Sequence, residues 1–335
     1  KINYLNFFYL LMLYIPKLFS YFLIFSMFFS CKIEKKEKYI NQNYYEYIIK
    51  DKDFRDRTKD SLKGNYIELN SGHTYYEMSN NEYHGSALIL VHGFSVPSYI
   101  WDPTYESAKK RGIKVVRFDL YGRGFSENLN LPYSDSLFAS QAWQLLDSLS
   151  INKIFLVGLS NGGRVISKMA QINPNRIDKL IYVSSNSFLD VNETIDKSVS
   201  KKEVKDYIAK YELLSKLQLN DFKYPEKYIG WEKKYSELFK YKGFARALIS
   251  TRKNHISLDL IHKEISKKKI PIYMIWGKHD SVVKYDSFES KLDALFPNRK
   301  EFFFEEAGHL PQIEVPAEFE KVLFDQIINF RNKKT

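Results

Sequence analysis

Short apolar runs recur through the chain, spaced so that a helix fits between successive ones. Ala87-Leu88-Ile89-Leu90-Val91 and the runs at 114–118, 154–157, 180–183, 272–275 and 301–304 are of strand length. Several of them lack the polar alternation of a half-exposed strand and so read as strands buried on both faces. Between the later runs, as at 134–149, apolar residues return at helical spacing. Alternating strand and helix predicts an α/β architecture, a mainly parallel sheet with helices on both faces. Two further strands, 66–69 and 75–78, are joined through Asn70-Ser71-Gly72 and predict an antiparallel hairpin at the sheet edge, for eight strands in all.

The alternation breaks twice. Residues 188–269 are rich in Lys, Tyr and Leu and poor in strand signals, so they read as a helical insertion between the sixth and seventh strands. Near the N-terminus, Lys17 is the one charge from Ile2 to Ser30; the apolar stretch 18–30 then ends at Cys31, and charged residues follow. A basic flank before such a run is the pattern of a secretory signal. Cys31 is the chain's single cysteine and has no intramolecular disulfide partner. Three readings follow for residues 1–31: a lipoprotein-type signal with Cys31 as the lipidated residue, an uncleaved membrane anchor, or a signal removed from a secreted enzyme with an incidental Cys31. Each places the remainder beside or outside a membrane. Residues 32–62 read as a charged linker or helical approach, leaving 63–187 and 270–335 as the core. The net charge of +11 is interspersed, no nucleic-acid motif accompanies it, and no metal-ligand cluster or nucleotide fingerprint is visible, so no cofactor is expected.

The chemistry concentrates around Ser160. An apolar strand runs into Gly158-Leu159-Ser160-Asn161-Gly162, and a helix-compatible segment follows. A strand that turns sharply into a helix exposes the serine hydroxyl at the carboxyl edge of the sheet, near the positive end of the helix, while Gly158 and Gly162 keep the corner free of side chains. A serine nucleophile needs a base, and the base an orienting acid. Of the chain's seven histidines, His309 lies in a loop after the last strand, behind Gly308. Asp280 ends Trp276-Gly277-Lys278-His279-Asp280, again behind an apolar strand; the competing reading of Asp280 is a helix N-cap. The order Ser160, Asp280, His309 is the order of an α/β-hydrolase triad.

These blocks, with Val91-His92-Gly93-Phe94, Asp119-Leu120-Tyr121-Gly122-Arg123-Gly124 and Ala307-Gly308-His309, resemble the α/β-hydrolase superfamily in its capped, esterase-like branch. The resemblance runs from about residue 65 to the end. It implies a helical cap at 188–269, an oxyanion hole made by the backbone N–H groups of Phe94 and Asn161, and structural roles for His92 and Gly93 in the loop that carries Phe94. Asn161 departs from the larger residue common at that position. The expected activity is hydrolysis of a small-molecule carboxylic ester, with an apolar acyl group that Tyr228, Trp231, Phe239 and Phe244 would line unless they are core. The same pattern suits hydrolysis of a C–C bond or thioester, perhydrolysis, or a binding protein without turnover. His73, His255 and His262 are expected in solvent-facing or core roles.

Overall fold

The computed structural model describes residues 45–79 and 85–329. The N-terminal expectations, Cys31 included, lie outside the described residues. An eight-stranded sheet forms the centre, in the order β1-β2-β4-β3-β5-β6-β7-β8. In chain order these are β1 (Asn65–Leu69), β2 (Gly72–Ser79), β3 (Ala87–Val91), β4 (Val115–Phe118), β5 (Ile154–Leu159), β6 (Ile177–Val183), β7 (Ile272–Gly277) and β8 (Lys300–Phe304). β1 pairs with β2, and β2 with β4, antiparallel; every other neighbouring pair is parallel. This is the hairpin edge on a parallel sheet that the pattern predicts. All five residues of β3 are buried, as a central strand covered on both faces requires.

The helices preceding the insertion are α1 (Lys52–Thr58), α2 (Asp102–Lys110), α3 (Asp135–Ser148) and α4 (Gly162–Ile172). α3 starts where Ser134 Oγ accepts the N–H of Leu137, which satisfies one of the donors a helix N-terminus leaves free. α4 follows β5 after two residues and packs against α3, β5 and β6. Their registry is fixed by a buried ion pair: Arg164 Nη2 lies 2.8 Å from Asp135 Oδ2, both side chains being almost fully enclosed. The same guanidinium donates to the carbonyl of Ile256 at 2.6 Å.

Between β6 and β7 lie only helical elements: α5 (Lys201–Ile208), α6 (Tyr211–Leu217), α7 (Trp231–Ser236), α8 (Phe244–Lys253), α9 (Asp259–Ser266) and several 3-10 turns. After β7 come α10 (Glu289–Leu295), then β8 and a helical C-terminal stretch. α5 opens on a capping box between Ser200 and Glu203. Of the linker or helical approach expected at 32–62, the described part carries α1 and a strap across the cap. Glu46 N–H and Ile48 N–H donate to the carbonyls of Phe239 and Lys240, and the Glu46 carboxylate accepts the N–H groups of Gly243 and Ala245 at the start of α8. Four residues on, Lys50 Nζ donates to the carbonyl of Gly124 in the loop after β4. The strap thus ties insertion to core.

Asp135→Ala leaves the Arg164 guanidinium charged and enclosed without its carboxylate. Loss of one partner of a buried pair costs about 3–5 kcal/mol. The expected result is a lower midpoint in urea unfolding with an unchanged slope.

Candidate active site

The carboxyl ends of β3, β5, β7 and β8 bring four loops together. Ser160 follows β5 directly, with φ +51°. A side chain in that left-handed region is strained by about 1–3 kcal/mol and persists only where its surroundings hold it. Here the Ser160 N–H donates to Val183 O at 2.8 Å, and its carbonyl accepts the Gly163 N–H at 2.9 Å. Gly162 starts α4 pressed against the end of β3: a β-carbon there would stand 2.5 Å from Val91 O and 2.7 Å from His92 O. Any side chain would force the corner open. The positive end of α4 therefore begins at the serine.

The loop after β3 passes just as close, since a β-carbon on Gly93 would lie 3.4 Å from Ser160 Cβ. His92 holds that loop. It is fully buried, and burial first, then the charge of Arg123, pushes its imidazole down to about 3, so it is neutral. Its Nε2 accepts the N–H of Leu120 at 2.9 Å, which leaves Nδ1–H to donate to Gly93 O at 2.9 Å. A trans peptide aims its carbonyl and N–H in opposite directions. Fixing Gly93 O therefore turns the N–H of Phe94 away from His92. The carbonyl of Phe94 is held in turn by Arg123 Nε at 2.9 Å.

No helix starts at Asp280, so the N-cap reading does not hold as such; its two oxygens are divided between a turn and the imidazole. Oδ1 accepts the N–H groups of Val282 and Val283 at 2.9 and 2.8 Å, a local turn cap, while Oδ2 lies 2.9 Å from His309 Nδ1. His309 is 4% exposed. Burial alone would lower its pKa, but the carboxylate of Asp280, bonded to it, and those of Asp221 and Glu314 outweigh burial and push it up to about 9. Ser160, His309, Phe94, Leu310, Gln218 and Asp221 share the wall of one cavity of about 160 Å³. Among the described residues Asp280 and His309 are hydrogen-bonded, and Ser160 lines the same cavity as His309 without a hydrogen bond to it.

Three neighbours of the site escaped the sequence. Asp221 ends the 3-10 turn Gln218–Asp221 in the insertion, and its carbonyl accepts the His309 N–H at 2.7 Å. His255, expected in a solvent-facing or core role, reaches Asn161: its Nε2–H donates to Asn161 Oδ1 at 2.8 Å. Fully buried Arg123 donates through Nη2 to Thr251 Oγ1 of α8 at 2.7 Å. Asp221 and His255 stand in no motif and gain their places from the way the insertion folds back; Arg123 stands in the Asp119–Gly124 block, whose sequence does not show its reach to Thr251. Of the four aromatics, Phe239 and Phe244 are core, while Tyr228 and Trp231 are half-buried in the cap; none lines the cavity. Tyr228 stacks on Phe222 with centroids 3.9 Å apart, Trp231 meets Phe222 edge-on, and Phe239 packs between Tyr211 and Phe244, all away from the cavity wall. His262 is buried beside Ser167, and His73 pairs with Glu127 on β2.

Residues 86–316 match the profile of the alpha/beta hydrolase fold. The chain belongs to that family. Among characterised and uncharacterised relatives, it is 34% identical over 109 residues to an uncharacterised protein of Mycobacterium tuberculosis, a match spanning 32% of each chain. The chain thus spans about a third of the length of those first curated relatives. It is 24% identical over 242 residues to the pimeloyl-[acyl-carrier protein] methyl ester esterase of Aliivibrio salmonicida, covering 70% of this chain and 89% of that one. Solved α/β hydrolases with similar folds include an enol-lactonase from Burkholderia xenovorans (TM-score 0.64, 21% identity, 77% of this chain and 98% of that one). An esterase from Exiguobacterium antarcticum superposes with TM-score 0.65 at 19% identity, over 78% and 97% of the two chains.

Proposed function

We infer that this α/β hydrolase cleaves a small-molecule carboxylic ester through an acyl-enzyme, with Ser160 as nucleophile, His309 as base and Asp280 as orienting acid. The observation that carries the reading is the 2.9 Å Asp280–His309 bond, with His309 lining the same cavity as a serine on a strained strand-to-helix corner. Esterases among the relatives and fold neighbours support it. Neutral His309 takes the Ser160 proton as Oγ attacks the ester carbonyl. Asp280 holds Nδ1–H and stabilises the imidazolium that forms. The N–H groups of Phe94 and Asn161 meet the developing oxyanion, each donor contributing roughly 3 kcal/mol. His309 then protonates the departing alcohol, and water releases the acid by the same steps in reverse. Closing the Ser160–His309 hydrogen bond belongs to the substrate-bound state, where such contacts tighten.

The reading extends to the N-terminus as a sequence-based proposal: Cys31 carries a diacylglycerol and holds the catalytic domain on a membrane outside the cytoplasm. Its support is the apolar run 18–30 directly ahead of the cysteine.

A fluorophosphonate probe is expected to label Ser160, and Ser160→Ala to abolish both labelling and p-nitrophenyl ester turnover, by at least ~10⁴-fold in kcat. Wild-type-like turnover by the folded variant refutes the assignment. The raised pKa of His309 sets the pH profile. The base acts only when neutral, so log kcat/KM climbs as pH rises and levels off near 9. A plateau already reached at pH 6 contradicts that electrostatic account. For the anchor, expression in a lipoprotein-processing bacterium with radiolabelled palmitate is expected to label the wild type and not Cys31→Ala; an unlabelled wild type removes the lipid proposal.

A further inference from the structure

Three carboxylates surround the His309 imidazole, and two of them are spoken for. Asp280 accepts two backbone N–H groups besides the imidazole. Glu314 accepts those of Lys223, Gly308 and Leu310 at 2.7, 2.8 and 3.2 Å. The third, Asp221, lines the cavity with Ser160 and His309, and among the described residues its carboxylate has no hydrogen-bond donor and no cationic side chain in ion-pair contact. The nearby ammonium of Lys223 is turned away, toward Glu305 O and Glu306. The position is nonetheless rigid, because the Asp221 carbonyl holds the His309 backbone N–H at 2.7 Å. Asp221 is half-buried, and a carboxylate on a cavity wall with no protein donor leaves its acceptor oxygens open to a ligand. A preorganised carboxylate facing the reaction centre fits a ligand that brings a positive charge.

We propose that Asp221 makes this active site charge-selective: it favours esters bearing a cationic, ammonium-type group beside the scissile bond and turns away esters that carry a carboxylate there. The proposal rests on the ester-hydrolase reading and adds the substrate class to it. The groups facing Asp221 are His309, Asp280, Glu314 and, from the cap, the phenol of Tyr235. Burial first, then Asp280 and Glu314 against the opposing pull of His309, raise the Asp221 carboxyl to about 6, so it is ionised at neutral pH and loses its charge in mild acid.

The test uses isosteric pairs that differ only in charge. On the acyl side these are the p-nitrophenyl esters of 4-(trimethylammonio)butyrate and 5,5-dimethylhexanoate, with p-nitrophenyl glutarate as the anion. On the alcohol side they are acetylcholine and 3,3-dimethylbutyl acetate. A charge held a few ångströms from a carboxylate in a partly enclosed site is worth roughly ten- to hundredfold in kcat/KM. The expected result is a preference of that size for the cation over its neutral isostere in at least one pair, with the glutarate ester poorest. In the isosteric variant Asp221→Asn the ratio falls to about one. Because both members of a pair need the same neutral His309, its titration divides out. The wild-type ratio is therefore expected to rise from pH 5 to 7 and the Asn ratio to stay flat, a signature that a folding defect does not produce. Turnover of the neutral esters with no cation preference, or with the same preference in Asp221→Asn, overturns the inference and leaves the hydrolase reading standing. No turnover of any ester and no fluorophosphonate labelling of the folded wild type removes both.

Discussion

The close approach of α4 to the end of β3 is the constraint on which the site is built. Gly162 lets the helix start within van der Waals reach of Val91 O and His92 O, and that contact leaves Ser160 no conformation except the left-handed one at its corner. The cost of the strained residue, about 1–3 kcal/mol, is met by strands buried on both faces that cannot slide without losing their packing. Once the corner is fixed, the rest is placed by the sheet: β3 delivers the His92–Phe94 loop to one side of the serine, and β7 and β8 deliver Asp280 and His309 to the other. A parallel sheet ends all its central strands at the same edge, so residues far apart in the chain meet there without long loops.

Charge divides the site into two halves. Buried, permanently cationic Arg123 holds the Phe94 carbonyl on the oxyanion side, and the Arg252 guanidinium lies over the Phe94 ring. His309 sits among Asp280, Asp221 and Glu314 on the other. In the proposed mechanism, positive field beside Phe94 and negative field beside His309 would both favour the separated charges of the transition state over the neutral ground state. The same carboxylates make the His309 imidazole hold its proton tightly, and burial acts on it in the opposite direction.

Much of this was legible in the chain. The eight strands are readable because their apolar runs are short and separated; the observed bounds differ from the reading by a few residues at the strand ends, where backbone pairing continues through Gly158-Leu159 and Trp276-Gly277. The Ser160, Asp280 and His309 positions are readable because each follows a strand and sits beside glycine. The cap residues are not. Asp221 lies in Leu219-Asn220-Asp221-Phe222 and His255 in Lys253-Asn254-His255-Ile256, where nothing local separates them from the many polar residues on a solvated helical surface. Helical spacing tells which face of a cap helix is buried; it does not tell what that face is buried against.

The missing information is long-range, and it is carried by polar stitches. Glu46 caps α8 from the N-terminal strap, Arg123 bridges from the loop after β4 to Thr251, Arg164 reaches Ile256 O, and Glu314 gathers the N–H groups of Lys223, Gly308 and Leu310. The Glu46 stitch ties the strap to the cap, and the other three join cap to core beside Ser160, the Phe94 loop or the His309 imidazole. An apolar cap–core contact would tolerate sliding, since dispersion and burial are non-directional. Hydrogen bonds to fixed carbonyls and N–H groups lose their value within a fraction of an ångström and a few tens of degrees. A cap held this way has a defined seat, so the Asp221 carboxylate keeps a fixed place on the wall of the cavity it shares with Ser160 and His309.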